Sequence, residues 1–91
     1  MILSIIIPVY NEEKTIIQIL KKIKNNSSNL LKYEVIVIDD GSTDQSGKLL
    51  EDNKDLFDKL LINETNKGKG FSVKKGILNA SGTHIIFQDA D

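Results

Sequence analysis

"YEVIVIDDGSTD", residues 33–44, runs from Val35, Ile36, Val37 and Ile38 straight into two aspartates and a glycine. An apolar run that does not alternate suits a strand buried on both faces, the habit of parallel sheets. Asp39 and Asp40 then fall at its carboxyl end, and Gly41 permits the tight turn that must follow. Similar apolar runs occur at residues 3–10 ("LSIIIPVY") and 83–89 ("THIIFQD"), and both are expected to be buried strands. A weaker run at 59–63 ("KLLIN") is expected at a sheet edge.

Helical patterns separate these runs. Residues 11–26 place Ile16, Ile19, Leu20 and Ile23 on one stripe, with Lys21, Lys22 and Lys24 largely off it. Asn11 is the expected N-cap, with Glu12 and Glu13 in the first turn. Residues 42–55 offer Ser42, Thr43 or Asp44 as caps and contain Gly47, which predicts a shorter helix. Residues 68–82 place Val73, Ile77 and Ala80 on one face, with Gly82 positioned to end the helix. "NNSSN" (25–29) reads as a surface loop. Strand–helix alternation of this kind predicts an α/β fold, an open and mainly parallel Rossmann-like sheet with right-handed crossovers and helices on both faces.

Composition narrows the chemistry. The 91 residues form one small domain with a net charge of −1, so no long-range field draws it to nucleic acid or to an anionic membrane. All 12 basic residues are lysine, so phosphate recognition would fall to lysine, backbone N–H groups or a metal. The absence of cysteine removes disulfides and thiolate chemistry. The amino terminus lacks a basic leader, and no apolar run approaches the roughly 20 residues a membrane span needs. A cytoplasmic location is expected.

In an open parallel sheet, ligands bind beyond the carboxyl ends of the strands. The four loops there are "PVYNEE", "DDGSTD", "NETNKGKG" and "QDAD", and they gather most of the unusual polar residues. "DDGSTD" alone is compatible with a plain turn and capped helix, with acceptance from a nucleobase or ribose, or with metal binding. "NKGKG" (66–70) precedes a helix whose N–H groups suit an anion, but it lacks P-loop spacing and reads equally as a flexible loop. In "QDAD", Asp89 and Asp91 point to one side of an extended segment. They can share a cation, or one can hold it while the other meets a sugar hydroxyl, and their hard oxygens imply Mg2+ or Mn2+. His84 lies on the opposite rim and reads as surface or packing.

"SIIIPVYNEE", "VIVIDDGSTD", "NKGKGFSVKKGILNASG" and "IIFQDAD", in this order, resemble the N-terminal half of a family 2 glycosyltransferase with the GT-A fold. The dolichyl-phosphate mannosyltransferase-like and polyprenyl-phosphate glycosyltransferases are the most similar sub-group. The resemblance covers essentially the whole chain and implies sheet order 3-2-1-4. It also implies that Pro8, Tyr10 and Glu12 line a nucleobase pocket, and that Asp39 with Asp40 accepts hydrogen bonds from base or ribose. Lys69 and the glycines beside it, Gly68 and Gly70, would border the base and diphosphate, Asp89 the ribose or metal, and Asp91 would ligate the cation. The implied partner is a nucleoside-diphosphate sugar whose hexose moves to a polyprenyl phosphate or glycan by inverting displacement. The alternative is a non-catalytic nucleotide- or metal-binding module.

Family members commonly carry an acid where His84 stands. No residue through Asp91 is free to act as general base, so residues 1–91 are expected to be a donor half-domain, inactive alone. The acceptor half, its base and any contact with the cytoplasmic face of a membrane are expected beyond Asp91. In that sheet order the fourth strand is an apolar edge, expected to self-associate.

Overall fold

The computed structural model describes residues 2–26 and 32–91. Strands β1 (Ile2–Val9), β2 (Lys32–Asp40), β3 (Lys59–Asn63) and β4 (His84–Phe87) alternate with helices α1 (Ile16–Asn26), α2 (Ser46–Asp52) and α3 (Lys69–Leu78). A turn of 3-10 helix at Lys54–Leu56 leads into β3. The strands are parallel in the order β3-β2-β1-β4, as the family resemblance implied. Register sets Val9 beside Asp39 and Asp40 beside Asn63, so the chain leaves β1, β2 and β3 at one height. That level rim carries the loops that follow these three strands.

Helices cover both faces. The odd-numbered side chains Ile7, Val9, Val35 and Val37 pack with Ile16, Leu20, Leu50 and Ala90 beneath α1 and α2. The even-numbered Ile6, Ile36 and Ile38 meet Leu61 and Ala80 on the α3 side. Fully burying a side chain of this size contributes about 1.5–3 kcal/mol, so the two central strands hold most of the core. Ile19 and Ile23 on the α1 stripe are half-buried, as their spacing allows.

Several local expectations are corrected. The run at 83–89 is not buried on both faces: every residue of β4 is exposed, because β4 pairs only with β1 and lies at the sheet edge. Asn11 does not cap α1. Residues 12–15 form a turn first, with the Thr15 and Ile16 N–H groups donating to the Glu12 carbonyl, so Glu12 and Glu13 precede the helix. Neither Ser42 nor Thr43 caps α2, whose N-cap is Gln45 without a side-chain bond; the Asp44 carboxylate accepts the Ser46 N–H instead. Asn25 and Asn26 finish α1, and residues 27–29 of the expected loop lie outside the described residues.

On α3 the buried positions are Ser72 and Gly76, while Ile77 is 41% exposed. Gly76 brings the helix onto the sheet: a Cβ there would lie 2.7 Å from Ile6 Cγ2 and 2.9 Å from Ile38 Cδ1. Gly82 is not the helix stop, since α3 ends at Leu78; a Cβ on Gly82 would strike the Ser4 hydroxyl and the Ile2 carbonyl. At this lower rim, buried Ser4 donates to Glu34 and accepts the Gly82 N–H, and the Ser81 N–H donates to Glu34. Burial pushes the Glu34 carboxyl up, but those donors and Lys59 outweigh it, so its pKa lies below the ordinary value. The node pins the α3–β4 connection to the sheet and so aims β4 at the opposite rim. His84 is exposed on the lower rim beside Thr83. Among the described residues no helix is long and apolar enough to cross a membrane.

Candidate functional site

At the carboxyl rim a cavity of about 430 Å³ is lined by Pro8, Val9, Tyr10, Glu12, Asp40, Asn66, Gly68, Lys69, Asp89, Ala90 and Asp91. All four strand-end loops therefore meet around one space, bar the "GSTD" turn. Asp39 and Gly70, both expected at the site, lie outside this lining. Asp39 is 6% exposed on the α2 side, and its Oδ1 accepts the Ser42 N–H at 3.0 Å.

The first two loops are clasped together by Asn11. Its φ of 52° is left-handed, a conformation asparagine adopts more readily than most residues. From there its side-chain carbonyl accepts the Thr43 and Asp44 N–H groups at 2.7 and 3.2 Å, and its own N–H donates to the Ser42 hydroxyl. Beside it the Glu12 N–H donates to buried Ser46, and the Glu13 N–H to Asp44. Burial raises the Asp44 pKa, but bonds from the Ser46 hydroxyl and from the Ser46 and Glu13 N–H groups outweigh it and leave it low. Tyr10 and Glu12 thus project from a braced turn.

Asp40 organises the third loop. It is 3% exposed, and its carboxylate accepts the Lys67 and Gly68 N–H groups at 2.7 and 2.9 Å and the Asn63 and Asn66 amides at 2.8 and 3.0 Å. Burial pushes its pKa up, and these donors pull it below the ordinary value. Lys67 to Gly68 is thereby bent over the end of β2, with Gly68 at φ 99° and Lys69 opening α3 on the cavity side. A Cβ on Gly68 or Gly70 would meet no protein atom, so space stays open at this helix start. Asn63 relays the network by donating to Ser72 and accepting from Lys75.

The fourth loop supplies the acids. Asp89 pairs with Lys69 at 2.8 Å, both side chains being largely exposed, and Thr15 donates to the Ala90 carbonyl at 2.6 Å. The hydrogen bond and charge of Asp89, then the charge of Asp91, raise the Lys69 pKa. Among the described residues no group of three or more Asp, Glu or His side chains could cage an ion. Two carboxylates on one wall nonetheless suit Mg2+ or Mn2+, which take most of their shell from water and phosphate oxygens.

Thr15, Ser42, Asn63, Asn66 and Ser72 brace the site with no local pattern in the sequence to mark them, and Asn11 clasps two loops where a helix cap is expected. Their partners are far along the chain, up to 75 residues for Thr15 and Ala90, so only an asparagine following a strand hinted at one of them.

The sequence model of glycosyl transferase family 2 matches residues 4–91. A dolichyl-phosphate beta-glucosyltransferase from Dictyostelium discoideum is 39% identical over 98% of this chain and 30% of its own length. The crystal structure of residues 1–349 of S. aureus TarS with UDP-GlcNAc superposes with a TM-score of 0.86 at 32% identity, covering 100% of this chain and 27% of that one. The mannosyltransferase PcManGT from Pyrobaculum calidifontis, solved with GDP-Man and Mn2+, gives 0.85 at 29% identity over 98% of this chain and 27% of its own. The chain thus spans less than a third of the length of these proteins.

Proposed function

This chain belongs to glycosyl transferase family 2 and has the GT-A fold, and from that premise we propose that its rim cavity holds the nucleoside diphosphate of a sugar donor. The observation that carries the reading is the convergence of Pro8, Tyr10 and Glu12 with Lys69, Asp89 and Asp91 on one space. An aromatic ring that is 45% exposed offers a stacking face for a base. Glu12 accepts from base or ribose, and Asp39, whose Oδ1 holds the Ser42 N–H on the α2 side, supports the wall behind it. Lys69 and the N–H groups beside Gly70 face the diphosphate. Asp40 belongs to this site by shaping the loop that presents Lys69.

Asp91, with Asp89, would hold Mg2+ or Mn2+. A bound cation supplies Lewis-acid neutralisation of the charge that builds on the departing nucleoside diphosphate. PcManGT, solved with both a nucleotide sugar and Mn2+, supports that assignment. The reaction we infer is inverting transfer of a hexose to a polyprenyl phosphate or glycan, at the cytoplasmic face of a membrane where the acceptor is a lipid. The acids on this rim are engaged on the donor side, so we place the general base and the acceptor site outside residues 1–91. Residues 1–91 alone are expected to bind donor nucleotide without transferring sugar, and to self-associate through β4.

Calorimetric titration of UDP and GDP, each with Mn2+ and with EDTA, tests the reading. Mn2+ should tighten binding of one nucleotide, and Asp91→Asn should remove that gain while leaving metal-free binding in place. Equal binding with and without Mn2+ would leave only a metal-independent nucleotide module. No binding of either nucleotide would overturn the donor site.

A further inference from the structure

Residues 89–91 lie beyond the last bond joining this segment to the sheet, in which the Gln88 N–H donates to the Ile6 carbonyl at 3.0 Å. Past that point the sheet no longer dictates where the two carboxylates stand. Ala90, 4% exposed, packs into the core beneath α1 and α2, while Asp89 and Asp91 line the cavity. The Asp89 side chain is tied to Lys69 by an exposed ion pair, a contact of little worth in water.

One partly buried bond holds this backbone to another element: the Thr15 hydroxyl donates to the Ala90 carbonyl at 2.6 Å. The same hydroxyl is 3.4 Å from Glu12 Oε2. With a single proton to give, it commits that proton to the shorter contact. Thr15 closes the turn that follows Tyr10 and Glu12, because its N–H donates to the Glu12 carbonyl. The strap therefore joins the segment that carries Tyr10 and Glu12 to the segment that carries Asp89 and Asp91, outside the cavity lining itself.

We propose that Thr15 is a positioning residue that sets where Asp91 stands against the opposite wall, and through Asp91 the affinity of the site for a divalent cation. The inference rests on the donor-site reading above. A purely structural threonine would affect stability and leave the metal dependence of nucleotide binding alone.

The test uses UDP or GDP, whichever the wild-type chain binds more tightly, titrated with Mn2+ and with EDTA. Thr15→Val keeps the side-chain volume and removes the donor. It should weaken Mn2+-dependent binding by about three- to tenfold, the range that a lost neutral hydrogen bond spans, with metal-free binding within about twofold of wild type. Thr15→Ala carries the same expectation should the second methyl of valine disturb folding. Thr15→Ser should restore the metal dependence, and amide exchange over residues 88–91 should quicken in the valine variant but not in the serine one.

Unchanged Mn2+ dependence in folded Thr15→Val overturns the inference and leaves the donor site standing. Equal weakening with and without metal, or a serine variant that behaves like valine, also overturns it. Wild-type binding that ignores Mn2+ removes this inference together with the metal assignment of Asp91 and leaves the metal-independent nucleotide module, whereas no binding of either nucleotide removes the donor-site reading as well.

Discussion

Asp40 shows how one carboxylate can line a cavity and also hold its wall together. Four donors converge on it inside a nearly closed pocket, so replacing it with alanine would leave buried N–H groups unpaired. The pH dependence follows from its low pKa and that of Glu34. A carboxyl whose folded pKa lies below its unfolded value contributes stability that is complete above the unfolded value. That stability disappears as pH falls toward the folded one. Thermal unfolding followed from pH 7 to pH 2 should therefore show a midpoint that drops below about pH 4, where unfolded carboxylates protonate. Asp40→Asn and Glu34→Gln should each flatten that drop. A midpoint indifferent to acid would show that these bonds do not favour the charged forms.

At the scale of elements, α3 is placed by what it lacks. Of its expected apolar face Val73 is half-buried and Ile77 is 41% exposed, and the helix instead buries Ser72 and Gly76 against the sheet. Helix propensity alone says that Gly76→Ala should stabilise α3 by nearly 1 kcal/mol. Tertiary contact reverses the sign, because the new methyl would overlap Ile6 and Ile38 in the core. Overpacking of this kind costs about 1–3 kcal/mol. Urea unfolding should give a lower midpoint for Gly76→Ala, and a higher midpoint would mean that the helix can lift off without cost. Periodicity could not locate this face, since small residues carry no hydropathy signal. It did locate the α1 stripe, where Ile16 and Leu20 are large and buried.

Across the molecule as a whole, the two edges of the sheet differ in apolar exposure. β3 begins with Lys59 and exposes Ile62 alone among its large apolar side chains, whereas the four-residue β4 presents Ile85, Ile86 and Phe87 at 38, 45 and 55% exposure. An apolar edge with unpaired backbone groups is a template for another strand. Sedimentation velocity should show association that grows with concentration, reduced by Ile86→Lys. A monomer at high concentration would remove the edge as a contact surface.

The sequence by itself determined the parallel α/β class and the rim at which the conspicuous polar loops gather. The unbroken run Val35–Ile38 suits a strand buried on both faces, and turn residues cluster after each run. It also determined the family, through four short motifs in a set order. Only the tertiary structure decided the tasks within that rim. Asp39 and Asp40 are adjacent in the chain, yet they point to opposite faces of the sheet, one toward α2 and the other into the loop beneath Lys69. Asn11 moved from an expected helix cap to a clasp, and Thr15 became the strap to Ala90. Such bonds join residues that are neighbours only after the sheet has assembled. Strand register brings them together, and no local pattern encodes it.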